Sequence, residues 1–460
     1  MHLPRILTQQ PRASWWAVAV ILLPWFMYSL HTEISRAAIT FSLRKYTDDP
    51  RIIGFVGSLN YGCGLMIGSF VSLMSDRIWT RWGRRRPFMI IGCLGAGLMA
   101  LSIPHAGTFW ILAGLILAYQ TLYDFNTTLE PLTMEVIPDP QRGRAGAIRQ
   151  WLIAGASVSF LYLLIGRFDE RYELPGGLVL TGETVIYTVH AGVIFGVALL
   201  IWLGVEEVRP PGAEVFRIRD LPVWQVLKGL FTRDLLPLFG LAFVMVNVWI
   251  GLEQFEALLI TEQWGFSKSD YGRALSYGVL VTVAVVPFAG LISDRMDRLV
   301  ALKAGLVMVL GLKGLFYVYA EYVAPGGVPP FVAVVGMGLI RGAVASFVAV
   351  AAVPLIFEYV ETNRLGALSC GMGMVFGLSN FIQTNTMGVW ISFSSRWLYG
   401  LPEGQYNYMA AYHYLFVMGI AGFAYLALFS HWDRTGRVLR VARARAGCAA
   451  VNTRTSRSSG

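Results

Sequence analysis

Charges set inside long apolar runs are the residues of this chain that can do chemistry. Asp124 stands in Tyr123-Asp124-Phe125-Asn126-Thr127-Thr128-Leu129-Glu130-Pro131. It lies about 16 residues into its run, which at about 1.5 Å per residue is near the middle of a bilayer. A lone charge at that depth costs about 3 kcal/mol or more, so its presence asks for a role. An acid held there can exchange a proton or accept hydrogen bonds from a hydroxylated solute. Asn126 follows at once. Glu130, six residues on, falls on another face and nearer the end of the run. Arg149 in the next run can pair with these acids, either as a structural ion pair or as part of a binding site.

Five further groups join them. Glu33 and Arg36 are three apart and share a helical face, as a binding pair or as an ion pair at the interface. His31 beside them reads as a packed histidine or a ligand. In the run from 235, Asn247, Trp249, Glu253, Gln254 and Glu256 cluster. Two acids three apart raise one another's proton affinity, so Glu253 and Glu256 suit a proton carrier, and equally a wet vestibule. Trp249 offers a ring to stack on a sugar or to pack. Arg341 is a lone arginine in its run. Asn380, Gln383 and Asn385 are uncharged hydrogen-bonders that fit hydroxyls or tie helices together. Lys313 is a cation in an apolar run of which the sequence gives no account.

These residues need membrane helices to hold them. Of the 460 residues, 55% are hydrophobic and 14% charged, with mean hydropathy +0.56. A soluble domain carries about 25% charged residues, so the composition is that of a membrane protein. Runs long enough to span occur at 15–45, 52–74, 87–104, 108–135, 146–167, 184–205, 235–262, 270–293, 299–322, 329–357, 366–392 and 409–431, about twelve in all. The first is long and expected to bend at Pro24. The fold class is therefore all-α: a polytopic membrane protein of two pseudo-symmetric six-helix bundles. The expected division is 1–205, a central loop 206–234 with the helix-breaking Pro210-Pro211-Gly212, 235–431, and a basic disordered tail 432–460.

Between the second and third runs lies Ser75-Asp76-Arg77-Ile78-Trp79-Thr80-Arg81-Trp82-Gly83-Arg84-Arg85-Arg86-Pro87. Its arginines do not readily cross a bilayer and mark this side as cytoplasmic. Basic residues at 142, 144, 295, 298, 303 and in the tail fall on the same side. Both termini are thus expected in the cytoplasm, and the protein in the cell membrane. Asp76 can pair with the arginines, Gly83 allows a tight turn, and Pro87 suits the first turn of a helix. Ser293-Asp294-Arg295 repeats the start of this motif at the matching place in the second half.

The longer spacer from Arg77 to Trp82, followed by Gly83-Arg84-Arg85-Arg86-Pro87-Phe88, resembles glycoside–pentoside–hexuronide:cation symporters and the sucrose transporters related to them, within the major facilitators. The segments 124–149 and 354–366 carry the resemblance too, as does Tyr46-Thr47-Asp48 at the end of the first run. It implies a secondary active carrier of a sugar or glycoside that works by alternating access. Asp124 and Glu33 would meet sugar or cation, and Asp76, Arg77, Gly83, Arg84, Arg85 and Arg86 would form a gating motif. A gate salt bridge is expected around Glu358. Sodium-using members place carboxylates in the second run, and 52–74 has none, so the coupling ion implied is a proton.

The expected partners are a small solute, a coupling proton and the lipid bilayer, with the chain acting as a monomer. The net charge of +9 sits in short loops and a tail, which fits anionic lipid rather than nucleic acid. The four cysteines have no pairing pattern or metal-ligand spacing, and no cofactor is expected. Neither a His-Glu-x-x-His nor a Gly-x-Ser-x-Gly motif is present, and the chain is not expected to be an enzyme. Competing readings are a carrier of an organic anion, nucleoside or drug, for which Arg36, Arg149 and Arg341 are suited, and a membrane receptor or assembly factor without transport.

Overall fold

In the computed structural model the described residues are 6, 7, 13–138, 141–175, 177–207, 235–249, 251, 252, 254–293, 295–357, 359 and 365–435. Nine helices among them are long and apolar enough to cross a membrane: Trp15–Arg44, Pro50–Ser72, Arg86–His105, Arg144–Arg167, Gly182–Gly204, Lys268–Ala289, Arg298–Val323, Phe331–Val348 and Ala410–Thr435. They are the first, second, third, fifth, sixth, eighth, ninth, tenth and twelfth spans of the sequence reading. The fourth, seventh and eleventh are helical as well, and each departs from a plain apolar rod. Trp110, Leu315 and Val332 stand exposed on the outside, as lipid-facing residues do.

Local chemistry accounts for several starts and breaks. Ser14 caps the first span by accepting the Ala17 N–H at 3.2 Å, and Thr108 and Asp297 cap the fourth and ninth in the same way. Helix Trp15–Leu22 yields at Leu23 and restarts at Pro24, the expected bend, because proline brings no N–H to the ladder. The first span then widens into a π turn at Ile34–Ala38, one residue past Glu33 and including Arg36.

The fourth span is Phe109–Tyr123, then a tight 3₁₀ stretch Asp124–Thr128, then Leu129–Val136. Pro131 denies the Thr127 carbonyl its usual helical donor. Side chains take up carbonyls three residues back: Asn126 Nδ2 on Tyr123 O at 2.9 Å, Thr127 Oγ1 on Asp124 O at 2.9 Å and Thr128 Oγ1 on Phe125 O at 3.2 Å. The seventh span is Leu236–Trp249, a break around Gly251, then Gln254–Leu258 and a π turn Leu259–Gln263. Gln383 of the eleventh span, Leu365–Trp397, donates to Gly251 O at 3.3 Å within that break.

Strands are minor. Arg171–Leu174 and Leu178–Thr181 form an antiparallel hairpin between the fifth and sixth spans, and Ile6–Leu7 pairs in parallel with Val205–Glu206.

The first six spans meet the last six along two seams. In one, the second span lies on the eleventh. A Cβ at Gly54 would sit 2.9 Å from Thr384 O, so only glycine permits this approach, and Asn385 Nδ2 donates to Ser58 Oγ at 2.6 Å. In the other, the fifth span lies on the eighth, where Gly166 faces Ser269 just as closely.

Candidate functional site

A cavity of about 210 Å³ lies between the two sets of spans. Glu33 and Arg36 of the first span line it on one side, and Glu256 of the seventh and Arg341 of the tenth on the other, with Tyr271 and Thr282 of the eighth between. Glu33 is 8% exposed and accepts the Ser157 hydroxyl of the fifth span at 2.9 Å. Ser157 in turn meets Ser29 at 2.9 Å, so the first and fifth spans hold the Glu33 carboxylate between them. Across the cavity the Arg341 guanidinium donates to Glu256 in an ion pair. A second cavity shares Gly251, Glu256 and Arg341 with the first and adds Lys313 and Tyr412. The site thus gathers two carboxylates and three cations, with hydroxyls among them. It can offer acceptors and donors together to a polar solute.

Asp124 occupies a separate place. It begins the 3₁₀ stretch and faces the second span, where a Cβ at Gly64 would touch its Oδ1 at 3.6 Å. Gly64 opens the π turn Gly64–Gly68, so two irregular segments meet at this acid. Asp124 Oδ2 is buried and has no hydrogen-bond partner among the described residues. Asp124 does not line the cavity of Glu33 and Glu256.

Other expected site residues make contacts away from this cavity. Glu130 pairs with Arg149 at 2.9 Å, the structural alternative weighed above, and that guanidinium lies 3.3 Å over the Trp25 ring. Asn126 turns to the third span and accepts from Cys93 Sγ at 3.1 Å. Asn247 bonds Phe243 O and Ser379, and receives the Tyr414 hydroxyl at 3.4 Å, tying the seventh span to the eleventh and twelfth. Gln254 reaches Ile53 O at 3.4 Å, across the halves. Glu253, Asp294 and Glu358, and the side chains of Trp249, Asp76 and Arg77, lie outside the described residues.

At the arginine loop, Thr80 and Gly83 exchange backbone hydrogen bonds in a tight turn, with Gly83 at φ 110°. The Glu207 carboxylate, beyond the sixth span, accepts the backbone N–H groups of Arg84, Arg85 and Arg86 at 2.9, 3.0 and 2.8 Å. These open the third helix, whose N-terminal donors and dipole favour an anion. Glu135 of the fourth span pairs with Arg84 and, at 3.0 Å, with Arg85. Glu135 and Glu207 were missed by sequence reasoning. Their signal was an acid at the end of a span on the arginine-loop side.

At the opposite end, ion pairs cross between the halves. Arg44 of the first span grips Glu262 of the seventh with two donors, one at 2.7 Å, and Tyr408 adds its hydroxyl to Glu262 at 3.3 Å. Lys268 Nζ meets Asp169 at 2.7 Å and lies over the Phe41 and Phe168 rings.

A family model described as Major Facilitator Superfamily matches residues 12–384. The chain belongs to the Major Facilitator Superfamily. It is accordingly a membrane transporter rather than an enzyme. Solved structures share the fold of this facilitator. The nucleoside transporter NupG is 12% identical with TM-score 0.66, over 89% of this chain and 99% of that one. A D-xylose-proton symporter is 13% identical with TM-score 0.61, over 90% and 96%. A bacterial homologue of the human lysosomal transporter Spinster, in an inward-facing and unoccupied conformation, is 16% identical with TM-score 0.61, over 90% and 94%. No curated protein matches the chain.

In this facilitator the cavity residues that sequence reasoning found are the charged ones. Tyr271, Thr282 and Tyr412 were missed, since neutral polar side chains are common in any helix. Lys313, which had no account, lies beside the Glu256–Arg341 pair.

Proposed function

We propose that this facilitator is a secondary active carrier that moves a sugar or glycoside together with a proton by alternating access. The observation that carries the reading is the cavity between the halves, with Glu33 and Arg36 on one wall and Glu256 and Arg341 on the other. Sugar hydroxyls both donate and accept, and this mixture of carboxylates, guanidiniums and hydroxyls answers both needs. Glu33 is the acid best placed to meet solute. Asp124, poised between two irregular helix segments, is placed to take up and release the proton as they shift. The second span has no carboxylate for a sodium site of the glycoside-symporter kind. A D-xylose-proton symporter shares the fold, which agrees with the reading.

The bundles 1–205 and 235–431 would rock about this cavity, linked by 206–234, in a monomer with the tail 432–460 in the cytoplasm. The arginine loop, with Asp76 and Arg77, would be the cytoplasmic gate. Glu207 and Glu135 would hold Arg84, Arg85 and Arg86 in one of the two states. Arg44–Glu262 and Lys268–Asp169 would latch the outer side. A second reading, a solute bearing a carboxylate, is favoured by Arg36, Arg341 and Lys313 together, three cations to two acids around the cavities.

The test is uptake into proteoliposomes of radiolabelled glucose, lactose, sucrose and glucuronate, with and without an imposed pH gradient. Accumulation of a neutral sugar that follows the gradient supports the reading. Accumulation of glucuronate alone favours the second. Transport of none of them, with purified protein intact, would overturn both.

A further inference from the structure

A buried polar column runs between the first and sixth spans, away from the solute cavity. At its outer end Lys45, half exposed, pairs with Glu183, which is 3% exposed. Ser42 donates to Glu183 Oε1 at 2.6 Å and meets the Tyr187 hydroxyl at 3.2 Å. One helical turn along the sixth span from Tyr187 stands His190. Its Nε2 is 2.7 Å from the Tyr119 hydroxyl of the fourth span, and that hydroxyl is 2.7 Å from His31 Nδ1. His31 Nε2 then reaches Asn60 Oδ1 of the second span at 3.4 Å. His31, Tyr119, Tyr187 and His190 are all buried.

The hydrogen bonds of this chain have a direction. With Asn60 presenting its amide oxygen, His31 Nε2 carries a hydrogen and its Nδ1 accepts from Tyr119 O–H. The Tyr119 oxygen then accepts from His190 Nε2–H, which leaves His190 Nδ1 as a lone pair. That atom is buried with no hydrogen-bond partner among the described residues. A lone pair left there is a basic site able to take up a proton. At the other end the His31 ring stacks on Tyr123, centroids 3.4 Å apart and 4° from parallel, and the next residue is Asp124. A tyrosine face is a good seat for a cationic ring.

We propose that His190, Tyr119 and His31 form a proton relay, separate from the solute cavity, that carries the coupling proton from His190 Nδ1 to His31, stacked on Tyr123. A proton arriving at His190 Nδ1 releases the Nε2 proton to the Tyr119 oxygen. Tyr119 passes its own hydrogen to His31 Nδ1. Tyr119 stays neutral, His190 ends as the other neutral tautomer, and His31 gains one proton and one positive charge. The ionisable rings against His31 are Tyr119 and Tyr123 of the fourth span and His190 of the sixth, and Glu33 and Arg36 follow it on its own span.

This inference rests on the proton-coupled reading of the carrier, and the test separates the two. In proteoliposomes, radiolabelled lactose, sucrose and glucuronate are followed in counterflow, which needs no proton gradient, and in uptake driven by an imposed pH gradient. Native protein that shows counterflow and ignores the gradient ends the proton-coupled reading, and the relay falls with it. Where native protein responds, Tyr119→Phe removes one oxygen and little volume. The relay requires it to keep counterflow within about twofold and to lose about tenfold or more of pH-driven uptake. His190→Gln, which can still accept or donate to Tyr119 but carries no proton, must behave alike. Unchanged pH-driven uptake in both variants, or loss of counterflow in both, would overturn the relay and leave a structural network.

Discussion

Arg341 and Glu256 illustrate what a charge costs inside this fold and why it was visible in the sequence. Each lies in an apolar run, and they find one another on one wall of the cavity. Removing one partner leaves the other uncompensated, while removing both does not. Glu256→Gln is therefore expected to lower the melting temperature more than the double variant Glu256→Gln/Arg341→Gln does, read by thermal unfolding in detergent. Asp124→Asn should cut pH-driven uptake about tenfold or more, a loss of a group that must ionise rather than one that must fit. An unchanged pH response would move the proton to Glu33. Glu33, Arg36, Glu256, Arg341 and Lys313 were legible because burial makes charge expensive. Tyr271, Thr282 and Tyr412 were not, because a hydroxyl in a helix can satisfy itself on its own backbone. The separation of Asp124 from Glu33 was not legible either, since depth along a helix says nothing of the direction a side chain faces.

Among the elements, hydropathy marks the spans well and their irregularities poorly. The order of helices and the bend at Pro24 follow from apolar runs and one missing N–H. The 3₁₀ stretch at Asp124–Thr128 has a cause in the sequence: Pro131 together with Asn126, Thr127 and Thr128, whose side chains serve the carbonyls. The π turns at Ile34–Ala38 and Gly64–Gly68 carry no such marker, and we have no physical account of them. Two predictions belong to this scale. Gly54→Val places branches against Thr384 O and should hold the second and eleventh spans apart, raising the labelling rate of a cysteine placed at position 58, buried in the same seam, by a water-soluble maleimide. A rate equal to that of the glycine-54 parent would contradict the seam. Glu262→Gln takes the charge from the Arg44 latch and should change turnover more than solute affinity, as separated by Vmax and KM of uptake. An affinity change alone would place Glu262 in the binding site instead.

For the molecule as a whole, twelve helical segments and a facilitator architecture could be read from hydropathy, from the arginine loop and from the repeat of Ser-Asp-Arg. How the halves meet could not, because it depends on glycines whose value appears only when a partner carbonyl is in place. The central claim is that two facing acid–base pairs serve one solute while a proton moves elsewhere in the first half. The measurement that bears on it most directly is the pH-gradient response of sugar uptake by the native carrier in proteoliposomes, compared with Glu33→Gln. The account predicts accumulation that rises with an inwardly directed proton gradient and collapses when the gradient is discharged, with Glu33→Gln failing in counterflow as well as in driven uptake. Accumulation indifferent to the gradient, or Glu33→Gln that binds and exchanges solute like the native protein, would contradict it.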